Sequence, residues 1–226
     1  MLKVPGFSAT TYRIPYPLFR RYKQTTMGQD VTNSALVAID LLEDHFNEEL
    51  WPDSQIPGQR DRLAQVTNSA VSAFRRANLP VIWIRQEFEP DLSDAYPHMV
   101  RRGTRYTIKN TPGAQLLHEL DHRPSDKLLI KKRFSAFFNT ELETVLADLN
   151  IMTVYLLGIT SSWCLRSTAV DAYQIGFDVV LIPDGVSGFN QATHEVAMSE
   201  MNGTIATEIS AAELLKLIEV KSVSIP

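Results

Sequence analysis

The sequence predicts a three-layer α/β/α sandwich around a mainly parallel, six-stranded sheet. Two observations lead to this fold class. Six short apolar runs rich in Val, Ile and Leu show no clean alternation of apolar and polar residues, which is typical of strands buried on both faces of a parallel sheet. Segments with helical periodicity separate or follow these runs. Alternating strands and helices favour right-handed crossovers, with helices on both faces of the sheet.

The predicted elements follow one another along the chain. Strands are expected at Ala35–Ile39, Val81–Ile84, Leu128–Ile130, Thr153–Ile159, Asp178–Ile182 and, more weakly, Gly203–Thr207. Helices are expected at 59–77, 140–149, 163–175, 191–201 and 208–219. The first helix carries its apolar residues on one stripe, from Leu63 to Ala77. Breaks between helix and strand are predicted at Pro80 and Gly176.

The chain is expected to form one domain, residues 34–226, preceded by an N-terminal arm, residues 1–33. The arm carries four aromatic residues among prolines and basic residues: Tyr12, Tyr16, Phe19 and Tyr22. Two alternatives stay open, since the arm could pack on its own domain or extend onto a neighbouring subunit. We expect a homo-oligomer, either a dimer or a tetramer.

Composition excludes several classes of function. A net charge of −4 disfavours a general nucleic-acid binder, which normally presents a basic face. No apolar run approaches the roughly 20 residues that span a bilayer, so no membrane partner is expected. The first residues contain no continuous apolar segment of signal-peptide type. The single cysteine, Cys164, cannot form an internal disulfide, which fits a cytoplasmic location.

Three reactive residues follow three of the predicted strands. Asp40 ends "ALVAID", Lys131 follows the third apolar run in "LLIKKRFSAFF", and Cys164 follows the fourth after a short turn. In an open parallel sheet of Rossmann-like order, ligands bind beyond the carboxyl ends of the strands. Each residue alone has an ordinary structural interpretation: a turn cap, a solvated lysine and a buried cysteine. Their shared position at strand ends predicts that they meet in one cleft.

Such a group is chemically coherent. Cys164 is expected at a helix N-terminus, where backbone N–H groups and a nearby ammonium group favour a thiolate. Asp40 could accept the thiol proton as a general base and pass it to a leaving amine. The turn Ile159–Cys164 could supply N–H donors to the tetrahedral oxyanion. The sequence therefore predicts nucleophilic catalysis without a histidine.

Three segments of the chain resemble the isochorismatase-like cysteine hydrolases, a family that includes nicotinamidases, N-carbamoylsarcosine amidase and ureide amidohydrolases. The matching segments are "ALVAIDLLEDHF", "DKLLIKKRFSAFFNTELETVL" and "LLGITSSWCLRSTAVDAYQIGFDVVLIPDGVS". The last is the most specific, with Thr168, Asp171, Ala172 and Gly176 in the expected places. The resemblance covers about residues 34–210.

The resemblance implies a catalytic triad of Asp40, Lys131 and Cys164, and a cis peptide bond between Ile159 and Thr160. It also implies an oxyanion hole formed by the backbone N–H groups of Thr160 and Cys164. The function that it implies is hydrolysis of a C–N bond in a small amide or ureide through a covalent acyl-enzyme. The alternatives are hydrolysis of a vinyl ether such as isochorismate, and a non-catalytic scaffold that retains the fold.

The sequence departs from the family pattern in two places. Leu42 stands where many members have Gln, and "VIWIRQEFEPDLSDAY" lacks the Asp/His metal ligands of nicotinamidases. We therefore expect no catalytic metal and no cofactor, and nicotinamide is disfavoured as the substrate. Candidate substrate-binding residues lie near predicted strand ends or beside the nucleophile: Phe46, Trp83, Arg85, Phe137 and Trp163.

One further motif predicts a different chemistry. "HELDH", from His118 to His122, fits the H-E-x-x-H pattern of zinc metallohydrolases. On a helix, the leucines at 116, 117 and 120 would occupy one face and the two histidines the opposite, solvent-facing side. Pro124 ends the segment early, and no third ligand is evident. We therefore expect no zinc site here.

Overall fold

A computed structural model describes residues 31–222, and within them six parallel strands form a single sheet. The strands are β1 (Ser34–Ile39), β2 (Val81–Gln86), β3 (Lys127–Lys131), β4 (Thr153–Ile159), β5 (Asp178–Ser187) and β6 (Thr207–Glu208). Their order across the sheet is β3-β2-β1-β4-β5-β6, and every neighbouring pair is parallel. The predicted fold class is confirmed.

Helices cover both faces of this sheet. They are α1 (Arg60–Arg76), α2 (Pro97–Arg102), α3 (Leu142–Asp148), α4 (Cys164–Ile175), α5 (Gln191–Met201) and α6 (Ala211–Ser222). The apolar residues of α1 and α6 join one core, while those of α3, α4 and α5 join a second core on the opposite face. Short 3-10 turns occur at Glu43–Phe46, Pro57–Gln59 and Pro112–Ala114.

The central strand shows why the apolar runs do not alternate with polar residues. Leu36 and Ala38 of β1 belong to the core under α1, whereas Ala35, Val37 and Ile39 belong to the core under α4. Successive side chains point to opposite faces of a sheet, so both sets must be apolar when both faces are covered. All six residues of β1 are buried.

Several elements differ from the sequence prediction: β5 continues to Ser187 rather than Ile182, and α6 begins at Ala211 rather than 208. The last strand lies at Thr207–Glu208 rather than 203–207, because Gly203 adopts a left-handed conformation and its N–H closes a turn on the Ala206 carbonyl. Helix α2 was not predicted, since six residues are too few to show a helical period. It begins at Pro97 and ends at the left-handed Gly103, which are ordinary start and stop signals.

The predicted N-terminal arm, residues 1–33, lies almost entirely outside the described residues. Only Val31, Thr32 and Asn33 of that segment are described, and the Asn33 carbonyl accepts hydrogen bonds from the N–H groups of Met152 and Thr153. Within the described part of the chain, no helix is both long enough and apolar enough to cross a membrane.

Candidate active site

The strand order brings the three predicted residues to one edge of the sheet. Strands β1 and β4 are neighbours at the point where the order of the strands reverses, and such a point opens a crevice beyond the strand ends. Asp40 follows β1, Lys131 ends β3, and Cys164 begins α4 just after β4. Lys131 Nζ lies 2.7 Å from Asp40 Oδ2 and 3.3 Å from Cys164 Sγ. The carboxylate, the ammonium group and the thiol are therefore in direct contact.

Asp40 is held by the backbone of the neighbouring strand. Its N–H donates to the Ile84 carbonyl, and its Oδ1 accepts a hydrogen bond of 2.9 Å from the N–H of Gln86. The residue has a φ of 53°, in the left-handed region that Asp tolerates better than most side chains. This conformation ends β1, and the carboxylate is left buried against the edge of β2.

Lys131 is a fully buried cation whose side chain spans the width of β2. Besides Asp40 and Cys164, its ammonium group donates to the Arg133 carbonyl at 3.0 Å. Burial by itself lowers the pKa of Lys131, but attraction to Asp40 and Cys164 together with the hydrogen bonds to both outweighs burial and raises the pKa overall. Lys131 is therefore a permanent positive charge beside the thiol at neutral pH.

Cys164 is buried at the first residue of α4, with 7% of its surface exposed. Burial raises the pKa of the Cys164 thiol to about 12; Lys131 lowers the pKa and Asp40 raises it. The sequence analysis expected the helix N-terminus and the ammonium group to favour a thiolate. Burial prevails because it penalises the charged form, so the resting thiol keeps its proton and needs a base.

The turn before Cys164 contains a cis peptide bond between Ile159 and Thr160, as the family resemblance implies. Its internal hydrogen bonds use the N–H groups of Trp163 and Leu165, both of which donate to the Thr160 carbonyl. In the described part of the chain, no backbone carbonyl accepts from the N–H of Thr160 or Cys164. These are the two N–H groups that the family resemblance assigns to the oxyanion hole.

Close backbone packing positions this turn. Gly158 has a φ of 117°, and a Cβ atom at this position would collide with the backbone of Ile39. Farther along the helix, Thr168 Oγ1 donates to the Cys164 carbonyl at 2.7 Å and accepts from the N–H of Ala136 at 2.9 Å. The threonine thus ties the loop after Lys131 to the helix that carries the thiol.

Of the five residues predicted to bind substrate, Trp163 alone contacts the aromatic side chains around the thiol. Its ring centroid lies 5.5 Å from that of Phe134 and 4.9 Å from that of Phe189. Phe137 instead contacts Phe177, which precedes β5 at the opposite edge of the sheet. Phe46 packs in the core under α1, with the guanidinium of Arg60 over its ring.

Trp83 and Arg85 also lie apart from the triad. The indole N–H of Trp83 donates to Asp126, which precedes β3, while Lys131 ends that strand at the other edge of the sheet. Arg85 pairs with Glu87 at 2.8 Å and donates to Gln115. Successive side chains of β2 point to opposite faces of the sheet, so Trp83 and Arg85 project to the same face. The sequence alone does not show whether that face is the one near the triad.

The sequence analysis missed several aromatic residues near the triad. Trp51, Tyr96 and Tyr106 come from loops after β1 and β2, and no local pattern marks them. Burial is the main cause that raises the pKa values of Tyr96 and Tyr106, and the charge of the Asp40 carboxylate adds to it. Both phenols therefore remain protonated at neutral pH, and Tyr96 Oη accepts a hydrogen bond from Gln86, whose backbone N–H donates to Asp40. Phe134 could have been predicted from the sequence, since it lies within the matched "KKRFSAFF" segment.

His45 is a neutral group beside the triad. Burial lowers its pKa, and the charge of Lys131 lowers it further, against the opposing effect of Asp40. The ring lies between Trp51 and Tyr106, at centroid distances of 6.3 and 6.0 Å. Leu42, which replaces the Gln of many relatives, is fully buried and its backbone bridges to Leu116.

The HELDH segment is irregular rather than helical. Within residues 31–219, the side-chain atoms of Glu43, His118 and Glu119 lie close enough together to hold a metal ion, and His122 is not in this group. Arg60 donates to both carboxylates at 2.7–3.0 Å. Ion pairing within the protein therefore already satisfies these acidic groups.

A comparison with protein families matches residues 34–213 to the isochorismatase domain. The chain belongs to the isochorismatase family. The family's uncharacterized member PncA of Bacillus subtilis is 33% identical over 127 residues, which cover 53% of this chain and 69% of that protein. The ureidoacrylate amidohydrolase RutB of Methylorubrum extorquens is 30% identical over 151 residues, 60% of this chain and 56% of that protein.

Solved structures of the family share the fold. An isochorismatase family protein from Desulfovibrio vulgaris superposes with a TM-score of 0.73 at 25% identity, covering 83% of this chain and 98% of that chain. The nicotinamidase/pyrazinamidase PncA of Bacillus subtilis superposes with a TM-score of 0.67 at 26% identity, covering 79% and 100%. The family is hydrolytic, and several relatives are named as amidases.

Proposed function

We propose that the protein hydrolyses a C–N bond in a small amide or ureide through a covalent acyl-enzyme on Cys164. One observation carries the proposal: the ammonium group of Lys131 lies within 3.3 Å of both the Asp40 carboxylate and the Cys164 sulfur. A general base, a cation and a nucleophile from three distant parts of the chain are the groups that acyl transfer requires.

The first chemical step is attack of Cys164 Sγ on the substrate carbonyl carbon. Because the thiol is protonated at rest, its proton passes to Asp40 as the S–C bond forms. The ammonium group of Lys131 stabilises the negative charge that develops on sulfur. The former carbonyl oxygen becomes an oxyanion, which accepts hydrogen bonds from the backbone N–H groups of Thr160 and Cys164.

The second step expels the nitrogen. The tetrahedral intermediate collapses, the C–N bond breaks, and the leaving nitrogen takes the proton from Asp40, which leaves a thioester on Cys164. Water then attacks the thioester carbonyl and gives one proton to Asp40. When the C–S bond breaks, that proton returns to the sulfur. The products are ammonia or an amine and a carboxylic or carbamic acid, and the enzyme is regenerated.

The relatives support amide hydrolysis rather than another reaction of the family. The Methylorubrum relative is named as a ureidoacrylate amidohydrolase, and the Bacillus structure as a nicotinamidase/pyrazinamidase. Both names describe cleavage of a C–N bond beside a carbonyl group. Hydrolysis of a vinyl ether needs no attacking thiol, so the buried Cys164 beside Lys131 favours the amidase alternative.

The test is replacement of the nucleophile. With a panel of small amides and ureides read out by ammonia release, Cys164→Ala is expected to lower turnover by about 10⁴-fold or more, because no acyl-enzyme can form. Mass spectrometry of the acid-quenched wild-type enzyme should show an acyl adduct on the peptide that carries Cys164. Ser162→Ala changes the same turn without touching the triad and should keep its activity. Full activity of Cys164→Ala would refute the mechanism.

A further inference from the structure

The loop between α2 and β3 contains a buried threonine in a strained backbone conformation. Thr107 has a φ of 50° and is fully buried. A β-branched residue rarely adopts this left-handed conformation, because its side chain crowds the backbone. Such strain persists only where the surrounding structure enforces it. The contacts of Thr107 therefore identify what the loop is held against.

Two hydrogen bonds hold Thr107 from opposite sides. Its carbonyl accepts a hydrogen bond of 2.9 Å from the N–H of Phe88, which lies two residues beyond the end of β2. Its N–H donates to Asp44 Oδ2 at 2.6 Å, and Asp44 lies in the 3-10 turn that follows β1. The loop therefore lies across the carboxyl ends of β1 and β2, where Asp40 accepts a hydrogen bond from the N–H of Gln86.

Gly113, farther along the same loop, packs directly on the Asp44 carboxylate. A Cβ atom at this position would collide with Asp44, and the three atoms that it would meet first all belong to that carboxylate. The φ of Gly113 lies outside the left-handed region, so the close approach rather than the backbone conformation requires glycine here. One carboxylate therefore contacts the loop of residues 103–115 at two points.

Asp44 also positions an aromatic side chain that packs on this loop. Its backbone carbonyl accepts a hydrogen bond of 2.8 Å from the indole N–H of Trp51. Tyr106 directly precedes Thr107, and its ring centroid lies 5.2 Å from that of Trp51 and 6.0 Å from that of His45. The carbonyl and the carboxylate of one residue thus fix both partners of the Trp51–Tyr106 contact.

We propose that Asp44 is a positioning residue, which holds the 103–115 loop against the ends of β1 and β2 and so shapes the wall of the cleft. The inference rests on the proposed function, because it takes the cleft as the place where the amide binds. The side-chain hydrogen bond of Asp44 goes to the loop rather than to the triad. A hydrogen bond to a charged acceptor is strong enough to offset the strain at Thr107, so the loop should relax when the carboxylate is removed.

Hydrogen exchange of peptides that contain Thr107, read by mass spectrometry, tests the hold on the loop without any turnover. In Asp44→Ala, these peptides should exchange about tenfold faster than in the wild type, because the acceptor is gone. Asp44→Asn keeps an oxygen that can accept from the Thr107 N–H, so exchange should stay within about threefold. Unchanged exchange in Asp44→Ala overturns the inference. Equal acceleration in β4 also overturns it, because that result means general destabilisation.

The split between KM and kcat separates positioning from support of the fold. With the amide that the wild type hydrolyses fastest, Asp44→Ala should raise KM about tenfold and leave kcat within about threefold, because the triad itself is unchanged. Asp44→Asn should recover most of the loss in KM. A lower kcat at unchanged KM would mean that folded enzyme is lost, and would overturn the inference.

Asp91→Ala is the matched control for these measurements. Asp91 is an exposed carboxylate in another loop of the same region, and its Oδ1 accepts from the N–H of Ser93. Its removal should leave KM, kcat and the exchange of the Thr107 peptides unchanged. If the wild type hydrolyses no amide, the proposed function fails, while the exchange experiment still decides whether Asp44 holds the loop.

Gly113→Ala supplies an independent test, because its methyl group would displace the Asp44 carboxylate. In the wild type, this substitution should raise KM and speed the exchange of the Thr107 peptides by about tenfold. In the Asp44→Ala background, the atoms that it meets are absent, so the further change should stay below about twofold. Equal effects in both backgrounds would show that Gly113 does not act through Asp44, and would overturn the inference.

Gly58→Ala controls for the loss of a glycine. Gly58 follows Pro57 in a 3-10 turn just as Gly113 follows Pro112, but a Cβ atom at position 58 would meet no atom within 4 Å. Gly58→Ala should therefore leave KM and the exchange of the Thr107 peptides unchanged. A change as large as that of Gly113→Ala would trace the effect to the turn itself, and would contradict the role of the carboxylate.

Discussion

The ion pairs of Lys131 and of Arg60 with their acidic partners differ chiefly in exposure to water. Lys131 and Asp40 have side chains that are 0% and 1% exposed. Arg60, Glu43 and Glu119 have side chains that are 23%, 28% and 31% exposed. The Arg60 cluster has the better hydrogen-bond geometry, with four contacts from one guanidinium to the two carboxylates. If geometry alone decided the energy, Arg60 would be the more important cation.

Solvation makes Lys131, rather than Arg60, the more important cation for stability. Water screens the Arg60 cluster and solvates each partner when the other is removed, so exposed ion pairs contribute about 0–1 kcal/mol. Asp40 and Lys131 were both taken out of water, and each remains tolerable only while the other is charged and present. Under the proposed mechanism the buried pair acts on Cys164, whereas the exposed cluster joins the loop after β1 to α1.

The largest effect is expected from Lys131→Met, which keeps most of the length of the side chain and removes its charge. The variant should lose its activity and about 3–5 kcal/mol of unfolding free energy, because Asp40 is left buried without a counter-charge. Urea denaturation at pH 7 measures the loss. A loss below about 1 kcal/mol would contradict the argument.

The double variant Asp40→Asn with Lys131→Met is the control for that experiment. Removing both charges removes the desolvation penalty together with the attraction, so most of the lost stability should return. Activity should not return, since the proposed general base and its cationic partner are both absent. If the double variant is as unstable as Lys131→Met, then packing rather than charge explains the loss.

A smaller effect is expected from alkaline pH. The pKa of Cys164 is about 12 in the folded protein, against about 8.5 for a free thiol. The folded state therefore keeps a proton that the unfolded state releases. This contribution to stability is complete below about pH 8.5 and is lost as the pH rises towards 12.

The expected loss is about 1.4 kcal/mol per pH unit between about pH 9 and 11. Denaturation at pH 8 and pH 10, with wild type and Cys164→Ala side by side, isolates the contribution of the thiol. The wild type should lose stability more steeply than the variant. Equal slopes would mean that the thiol has a similar pKa in both states.

The smallest effect is expected from Arg60→Gln. Removing this cation should cost about 1 kcal/mol of unfolding free energy at low salt and less in 1 M NaCl, where exposed charges are screened. Activity should be unchanged, since Arg60 contacts no member of the triad. A loss above about 3 kcal/mol that is insensitive to salt would show that the cluster behaves like the buried pair.

The same contrast explains what could be predicted from the sequence. Asp40, Lys131 and Cys164 were found because each follows an apolar run, and the carboxyl ends of parallel strands share one edge. The strand order needed for their contact does not follow from the apolar runs, and only the resemblance to the family implied it. The state of the thiol was not predictable in this way, because it depends on how completely the loops exclude water.

The aromatic side chains near the triad, such as Trp51, Tyr106 and Trp163, show the other limit of prediction from sequence. They are far apart in sequence, and they converge only through loop contacts. One such contact is the 2.6 Å hydrogen bond from the N–H of Thr107 to Asp44 Oδ2, and another is the hydrogen bond from the indole of Trp51 to the Asp44 carbonyl. Strand periodicity contains no information about such loops. Trp163 was predicted only because it is the neighbour of the nucleophile.

The distribution of the indole side chains has a practical consequence. Of the three tryptophans in the chain, Trp51 and Trp163 both contact Phe189 at the carboxyl edge of the sheet, whereas Trp83 is buried in the core beside Asp126. Occupation of the cleft would change the surroundings of two fluorophores and leave the third as a constant background. The protein thus carries an intrinsic optical signal for occupancy of its own cleft, and no added dye is needed to observe it.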